Sequence, residues 1–449
     1  MKLRFAFMYA LRCLGFGQGG KNKAPSNAQK SLIGAIFGIA VSVIPLLIVL
    51  VVSDGMISGI TSRLIELDSG QIKIIKMRIR SDENDGRHEK ALKERLKAQY
   101  ANEPFFKNAW VERRGTGLLI GNNGRSGGSI RAIEKNFFAE NEKAKNLLKV
   151  IAGSAVLEND NEVLLGKKIA ENLQLKVGDT CRLLTLKKSG GNKAVPKFSS
   201  LKVKGIISCG YQELDALWVF IGLDKGLQIL SGSSSLTSLI VSTENPFDNQ
   251  RFESFLSDLD AGLTDDFVAN SWKNLNRAQY ASFATTKNLL MFIMFLILLV
   301  ASINISSALI MLVLERTQEI AILKSTGANT RLITLSFFIA GMLTSVFGLL
   351  LGLPVGILLS LNINALLSMI EKGINLLFVF LYRLLNLNSE MLAFHILDPS
   401  YYLENIPVHL DLTTLFSIVL VTIILSACVS IIPSTRAGRE RPIDIMRKL

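Results

Sequence analysis

SLIGAIFGIAVSVIPLLIVLVVS, residues 31–53, contains no charged side chain. A helix of about 20 apolar residues is long enough to cross the hydrocarbon core of a bilayer. Backbone N–H and C=O groups find no water in that core, so a helix, which bonds them internally, is favoured over irregular chain. We therefore expect residues 31–53 to form a transmembrane helix.

Three further stretches pass the same test, and they lie at residues 289–314, 332–361 and 411–433. Hydrophobic residues make up 49% of the chain, and its mean hydropathy is +0.36. Such values exclude an ordinary soluble protein. We predict four transmembrane helices, an even number that places both ends of the chain on one side of the membrane.

The basic residues indicate which side that is. Lysine and arginine concentrate on the cytoplasmic flanks of membrane spans. Residues 1–30 carry several of them without any acid, and the tail after the fourth span is also rich in arginine. Both termini are therefore predicted to be cytoplasmic. These two flanks carry a net +6 and a net +3 of the total net charge of +13, so membrane lipids and not nucleic acid are the expected contacts.

Residues 54–288 are long enough to bury a core of their own, and short runs of strand or helix character alternate there with turn signals. This pattern predicts an α+β domain inserted on the non-cytoplasmic side. The predicted strands are 72–79, 180–186, 201–208, 217–221 and 236–242, and the predicted helices are 89–100, 167–173 and 249–259.

The helix of the first span is predicted to continue beyond the membrane. After residue 53 an apolar stripe recurs every three or four residues, and it consists of Ile57, Ile60, Leu64 and Leu67. We expect its partner to be a row of small residues before the second span, namely Ala278, Ser282 and Thr285. The inserted domain would then stand on a stalk of two helices.

Residues 363–387 are ambiguous. The stretch is apolar but is interrupted by Glu371, Lys372 and Arg383. We predict an interfacial or re-entrant amphipathic helix. The alternative is a fifth span, which would place the basic tail outside.

Several motifs that look catalytic do not fit their usual context. Residues 15–22 nearly match a phosphate-binding loop, but Asn22 replaces the required hydroxyl and no strand precedes the loop. Residues 124–128 fit G-x-S-x-G, yet they lie in a glycine-rich stretch that predicts a hairpin tip. Cys181 and Cys209 could pair in an oxidising compartment. We predict no catalytic residue, no metal site and no cofactor in this chain.

Small residues recur at every fourth position in two of the spans. This spacing lets neighbouring helices approach closely, within one subunit or between two subunits. The predicted packing glycines are Gly34, Gly38, Gly348, Gly352 and Gly356.

The stretch after the second span reads ERTQEIAILKSTGAN, residues 315–329. As a helix it places Glu315 and Glu319 one turn apart, packs Ile320 and Leu323 along another face, and ends at Gly327. Such a short amphipathic helix is suited either to a groove of a soluble partner or to serve as an ordinary solvated connector.

This stretch resembles the coupling helix of MacB/FtsX-type ABC transporter permeases, and the similarity extends to the lipoprotein-releasing permeases of the LolC/LolE kind. SDGMISGITSRLIELDSGQIKI from Ser53, LLGKKIAENLQLKVGDTCRLL from Leu164 and LKVKGIISCGYQELDALWVFIGL from Leu201 are similar to the corresponding family segments. The resemblance covers most of the chain and weakens over residues 81–160 and 362–395. It implies that the helix seats in an ATPase subunit through Glu315, Arg316, Glu319, Ile320, Leu323, Lys324 and Gly327.

The resemblance also implies a segment plan for a bacterial inner-membrane permease with both termini cytoplasmic. The plan is an amphipathic N-terminal segment (1–30), the first span (31–53), a periplasmic domain with stalk helices (54–288), the second span (289–314), a coupling helix (315–331), the third span (332–361), a periplasmic loop with an interfacial helix (362–410), the fourth span (411–433) and a cytoplasmic tail (434–449).

The implied function is extraction of triacylated lipoproteins from the outer leaflet of the inner membrane and their transfer to a periplasmic carrier. ATP and magnesium would be bound by cytoplasmic ABC ATPase subunits, and a second copy or a related permease would complete a dimer. The family's carrier-docking hairpin corresponds to a basic turn at 187–200, with Lys187, Lys188, Gly190, Gly191, Pro196 and Lys197.

Two alternatives remain open at this point. One is a mechanotransmitting permease for peptide or drug export, or for activation of a cell-wall hydrolase. The other is an adhesion or sensor protein without an ATPase partner.

Overall fold

The computed structural model describes residues 2–14, 26–77, 86–189, 193–230, 235–384, 403, 405–408 and 410–440. The chain forms two compact units. The membrane unit consists of Met1–Gly55, Phe283–Leu387 and Ile406–Leu449, and the inserted domain consists of Met56–Ser282 with Asn388–Asn405.

In chain order, the elements are α1 (Lys2–Cys13), α2 (Asn27–Arg63), a π-helical turn (Leu64–Ser69), β1 (Ile72–Lys76), α3 (Arg87–Gln99), β2 (Phe106–Ile120), β3 (Arg125–Ile133), α4 (Phe137–Glu140), α5 (Glu142–Leu147), β4 (Lys149–Gly153), β5 (Glu162–Gly166), α6 (Lys167–Leu173), β6 (Thr180–Ser189), β7 (Lys193–Ser208), α7 (Gln212–Asp215), β8 (Trp218–Gly222), α8 (Leu223–Ile229), β9 (Leu236–Thr243), α9 (Asn249–Ala261), β10 (Phe267–Ser271), α10 (Trp272–Leu275), α11 (Arg277–Glu315), α12 (Thr317–Ser325), α13 (Thr330–Leu361), α14 (Ile363–Leu384) and α15 (Leu412–Arg439).

Five of the described helices are long and apolar enough to cross a membrane, namely α2, α11, α13, α14 and α15. The predicted spans at 31–53, 289–314, 332–361 and 411–433 lie within four of them. The fifth, α14, is one continuous helix over the stretch that the sequence left ambiguous. The predicted tail begins within α15, which continues to Arg439.

The first turn of α14 and the segment before α15 are in contact with each other and lie beside the first span. The Asn364 side chain donates a hydrogen bond to the Ile406 carbonyl and accepts one from the Ile406 amide, both at 3.0 Å. A Cβ atom on Gly55, near the point where the inserted domain begins, would lie 2.2 Å from the Pro407 carbonyl oxygen. The start of α14 and the chain before α15 therefore lie beside the same end of the first span. We refer to it as the domain-side end.

The described strands of the inserted domain form one mixed sheet in the order β10-β1-β9-β2-β3-β8-β5-β7-β4, with β6 paired to β2 and β7. The β3–β8 and β5–β7 pairs are parallel, and the remaining pairs are antiparallel. Helices cover hydrophobic clusters on the sheet, including one built from Ile169, Leu173 and Val219. The predicted α+β class is confirmed.

All five predicted strands and all three predicted helices of this domain are present within the described residues. Residues 78–79, the end of the first predicted strand, lie outside them. The long hairpin of β2 and β3 was not predicted as strands, but residues 121–124 form its tip. Ser126 is therefore a hairpin residue on β3, not a nucleophile on a strand-to-helix turn. Cys181 and Cys209 are buried free thiols, so the suggested pairing is not formed.

The first helix continues past the predicted span to Arg63 and then through the π-helical turn. Three members of its apolar stripe, Ile60, Leu64 and Leu67, are buried, whereas the predicted partner residues Ala278, Ser282 and Thr285 are exposed. Ile65, beside the stripe, packs with Ile72 and Trp272 in a core cluster of the inserted domain. The pairing of the two stalk helices stays a prediction.

A buried ionic cluster connects the π-helical turn to the sheet. Glu112 on β2 is fully buried, accepts a hydrogen bond from Arg131 on β3, and lies 3.8 Å from the Lys73 Nζ and 3.5 Å from the Arg114 Nη2. Arg131 also donates to the Leu67 carbonyl, at the end of the turn. Burial alone would raise the pKa of Glu112, but Arg131, Arg114 and Lys73 overcome it and lower the pKa to about 2.

Candidate functional site

The segment between α11 and α13 forms a compact turn with one short helix, α12. Gly327 follows this helix with φ at +95°, a conformation that glycine adopts without strain. The Gly327 amide donates to the Lys324 carbonyl at 3.0 Å and the Ala328 amide to the Leu323 carbonyl at 2.9 Å. This pair of bonds is a Schellman motif, which ends the helix at the residue that the sequence indicated.

One face of α12 is buried in the membrane unit. Ile320 is fully buried and belongs to the same hydrophobic cluster as Ile333 and Ala437. Leu323 is half-buried on the same side. α12 therefore shares a hydrophobic cluster with residues of α13 and α15.

The charged residues predicted to meet a partner are engaged within the chain. Glu315 accepts a hydrogen bond from the Ala28 amide at 2.8 Å, in the first turn of α2, where unpaired N–H groups favour an anion. Glu319 accepts from Arg316 and, at 3.4 Å, from the Tyr9 hydroxyl on α1. The turn is thus bonded to two other helices.

Lys324 forms hydrogen bonds with the carboxyl end of a helix, whereas Glu315 accepts one at an amino end. Its Nζ donates to the Gly438 carbonyl at 2.6 Å and to the Glu440 carbonyl at 2.5 Å, where α15 finishes. A cation is favoured at a helix carboxyl end because the last carbonyl groups lack intrahelical partners. The turn from Glu315 to Lys324 therefore bonds the start of α2 through Glu315, α1 through Glu319 and the end of α15 through Lys324.

The exposed face of α12 contains an apolar residue, Ile322, that was not among the contact residues expected from the sequence. Ile322 is 63% exposed, although it is an isoleucine two positions from the buried Ile320. Residues two apart on a helix do not share a face. The spacing of Ile320 and Ile322 in the sequence therefore already indicated that one of these two isoleucines would be exposed. We name this surface the coupling face, and it consists of the exposed or half-exposed residues Glu315, Gln318, Ile322, Ser325 and Thr326.

The predicted carrier-docking stretch forms the β6–β7 hairpin. Lys187 pairs with Val195 and Lys188 with Ala194 in the strand register, while Gly190 and Gly191 lie outside the described residues. The Lys197 Nζ donates to the Gln228 carbonyl at 3.4 Å and so reaches α8.

The other face of this hairpin is apolar and open. Phe198 is 61% exposed and Leu186 is 56% exposed, and Pro196, which pairs with Leu186, is exposed as well. We name Leu186, Pro196 and Phe198 the hairpin patch. Sequence reasoning named Pro196 together with the basic residues and glycines of the turn, but it missed Leu186 and Phe198, which strand pairing and alternation place on the same face as Pro196.

The predicted packing glycines divide into two groups. A Cβ atom on Gly348 would lie 2.8 Å from the Ile39 Cβ, one on Gly352 would lie 2.9 Å from the Ala40 carbonyl oxygen, and one on Gly356 would lie 3.4 Å from the Leu47 Cδ1. These three glycines of α13 face α2. Gly34 has no described neighbour within 4 Å of such an atom, and Gly38 has only the Asn304 Nδ2 at 3.9 Å.

Two family models match the chain. The model described as MacB-like periplasmic core domain matches residues 32–257, and the model described as FtsX-like permease C-terminal matches residues 291–442. The chain belongs to the MacB/FtsX-like permeases. The first match ends within α9 of the inserted domain and the second begins within α11, so the two matches follow the chain from the first span and the inserted domain to the remaining part of the membrane unit.

Among curated proteins, this permease is similar to the lipoprotein-releasing system transmembrane protein LolC of Neisseria meningitidis, with 24% identity over 92% of this chain and 93% of that protein. It is also similar to the LolE protein of Haemophilus influenzae, with 25% identity over 64% of this chain and 65% of that protein. Among solved structures, the periplasmic region of MacB from Actinobacillus actinomycetemcomitans matches 48% of this chain and 95% of that structure, with 12% identity and a TM-score of 0.30.

Proposed function

We propose that this permease is the membrane subunit of an ABC transporter that extracts lipoproteins from the outer leaflet of the inner membrane and passes them to a periplasmic carrier. The similarity to LolC over 92% of this chain carries the proposal. The alternative is export of peptides or drugs, or activation of a cell-wall hydrolase. It is supported only by membership of the family, whereas the named relatives favour lipoprotein release.

The proposed topology has four crossings with both termini cytoplasmic. α14 starts at the domain-side end, and the chain returns there at Ile406 and Pro407. Leu403, shortly before that return, pairs with Tyr211 of the inserted domain. A single crossing by α14 would require a second one within residues 385–402, whose sequence has no apolar run of about 20 residues. α14 is therefore not one of the four spans.

The coupling face is the proposed contact with the ATPase subunit, which would bind ATP and magnesium. Ile322 is the central apolar side chain, and an exposed isoleucine among polar residues suits a pocket in a soluble partner. Glu315, Glu319 and Lys324 are also expected at this contact. They bond the turn to the start of α2, to α1 and to the end of α15, and in this proposal force on the turn reaches those helices.

The energy need agrees with an ATP-driven process. Burial of one CH₂ group in the bilayer is worth about 0.8 kcal/mol, so removal of three acyl chains costs on the order of tens of kcal/mol. A carrier with an apolar cavity would recover much of this free energy. In this proposal the hairpin patch docks that carrier, and a second copy or a related permease completes the dimer against the open face around Gly34.

The proposal is tested by reconstitution. The permease, its co-encoded ATPase and any co-encoded second permease are placed in liposomes with a fluorescent triacylated lipoprotein, and the lipoprotein recovered on a soluble carrier is measured. ATP should be required for transfer. Intact ATPase activity without any transfer, together with ATP-dependent export of a peptide or drug, would overturn lipoprotein release in favour of the alternative.

A further inference from the structure

The apolar residues of α14 are largely uncovered. Leu376 is 74% exposed, Met369 70%, Phe380 64% and Leu377 56%. A helix that presents side chains of this size to water would be strongly unfavourable, because the hydrophobic effect scales with the apolar area in contact with water. Some apolar medium must cover this surface.

The helix also has a polar stripe. Asn364, Ser368, Glu371 and Asn375 follow one another at spacings of three or four residues and therefore lie along one side. Leu377 and Phe380 lie on the opposite side of the same helix. A wide apolar face opposite one polar stripe is typical of a helix that lies in the plane of a bilayer surface, and a crossing helix has no need of such a stripe.

The position of α14 identifies the covering medium. The helix begins one residue after α13, whose last turns expose Leu358 and Leu361. These side chains belong to a predicted span, so the apolar surface that meets lipid continues from α13 into α14. The hydrogen bonds between Asn364 and Ile406, next to Gly55, keep the start of α14 at the domain-side end.

We propose that α14 lies in the outer leaflet of the bilayer as a lipid-embedded brace for the domain-side end of the first span. The apolar face with Leu377 and Phe380 contacts acyl chains, and the polar stripe faces the headgroups. The connection to the first span runs through Asn364, Ile406 and Pro407 to Gly55. The brace fixes the depth at which α2 leaves the membrane, in the leaflet from which lipoproteins would be taken.

This inference rests on the proposed topology and goes beyond the proposed function. The natural tryptophans Trp110, Trp218 and Trp272 are all buried in the inserted domain, so a tryptophan introduced into α14 can be followed against a constant background. The test uses the full-length protein in lipid nanodiscs that contain phospholipids brominated at defined acyl positions. Four single variants are compared: Ser368→Trp, Leu377→Trp, Val379→Trp and Phe380→Trp.

We expect the depth of the introduced indole in the bilayer to depend on the face of α14 that carries it. The indoles introduced at positions 377 and 380 should lose emission to bromines in the acyl region near the headgroups, while those at positions 368 and 379 should be shallower. A crossing helix would instead place 377, 379 and 380 at similar depth near the bilayer centre, and this would overturn the proposal. Shielding of 377 and 380 from both bromolipid and aqueous quenchers would show a protein partner and would overturn it as well.

The brace is tested by a second change in the Leu377→Trp background. Asn364→Leu removes both hydrogen bonds to Ile406, and Gly55→Val drives a side chain into Pro407. Either change should alter the depth of the indole at position 377, whereas Ser58→Val, which introduces the same side chain as Gly55→Val at an exposed position of the same helix, should not. An unchanged depth in both variants would overturn the connection. The measurement needs neither ATPase nor carrier, so its outcome is independent of whether lipoprotein is released.

Discussion

Glu112 is a residue whose charge depends on its neighbours. It is fully buried, and three cations surround it, so its carboxylate stays ionised where an isolated buried carboxylate would not. Removal of the acid would leave Arg131 and Lys73 buried without their main counter-charge. The cluster also bonds the Leu67 carbonyl, so its loss would loosen the end of the π-helical turn.

We predict that Glu112→Gln lowers the stability of the inserted domain by about 3 kcal/mol at neutral pH, as expected when one partner leaves a buried ion pair. The pKa of Glu112 is about 2 in the folded chain and 4.5 ordinarily. A lowered folded-state pKa gives stability that is fully present above pH 4.5 and is lost as the pH falls through 2. The difference in thermal midpoint between wild type and variant, followed by tryptophan fluorescence, should therefore shrink over that interval. A difference that does not vary with pH would contradict this role.

Ile322 is the residue on which the proposed ATPase contact depends. Ile322→Glu should weaken co-purification of the ATPase at least tenfold, because a buried carboxylate without a partner costs more than about 1.4 kcal/mol. Val150→Glu, the same kind of change at an exposed apolar residue of β4, serves as the control. Equal recovery of the ATPase with both variants would exclude Ile322 from the contact.

At the scale of elements, the β6–β7 hairpin presents its apolar residues to solvent and turns Lys197 toward α8. We predict that Phe198→Glu reduces binding of the periplasmic carrier and that Lys197→Gln has a much smaller effect. Surface plasmon resonance on the nanodisc-embedded protein measures both. A larger loss with Lys197→Gln would favour the basic turn over the hairpin patch as the docking site.

The contact of α13 with α2 depends on the absence of side chains at three glycines. A leucine at position 352 would begin 2.9 Å from the Ala40 carbonyl oxygen and has no space to occupy. Gly352→Leu should destabilise the membrane unit by more than about 2 kcal/mol, the scale of overpacking in a tight interface. The measurement is the fraction of protein that still elutes as a monodisperse peak in size-exclusion chromatography after heating. For the single chain without partner subunits, Gly34→Leu should leave this fraction unchanged.

At the scale of the whole molecule, the two units have separate cores. The three tryptophans report only on the inserted domain, and Cys13 is buried in the core of the membrane unit. We predict two thermal transitions, one in tryptophan emission and one in the reaction of Cys13 with a thiol dye, measured in a background in which the other three free cysteines are replaced by Cys181→Ala, Cys209→Ala and Cys428→Ser. Glu112→Gln should shift the first and Gly352→Leu the second. A common shift of both transitions by either variant would show that the units unfold as one.

The sequence predicted those features that have a strong local signal. Apolar runs predicted four of the five described helices that are long and apolar enough to cross a membrane, and periodicity with turn residues predicted strands such as 201–208 and helices such as 249–259. The β2–β3 hairpin was missed because Glu112, Arg113, Arg114 and Arg131 interrupt its apolar pattern, and only the fold pairs these charges. The bonds of Glu315 to Ala28 and of Glu319 to Tyr9 could not be predicted, because these partners lie far apart in the sequence and come together only through tertiary structure.

The contact between α2 and α13 has a consequence for synthesis of the chain. Ile39 and Ala40 meet Gly348 and Gly352, which leave the ribosome roughly 300 residues later. At synthesis rates of about 5–20 residues per second, that interval is roughly 15–60 seconds. During this time the first span is in the membrane without its partner, and the entire inserted domain is made and exported. Nascent α2 must therefore be kept from other apolar helices by lipid or by the insertion machinery until its intended partner is made.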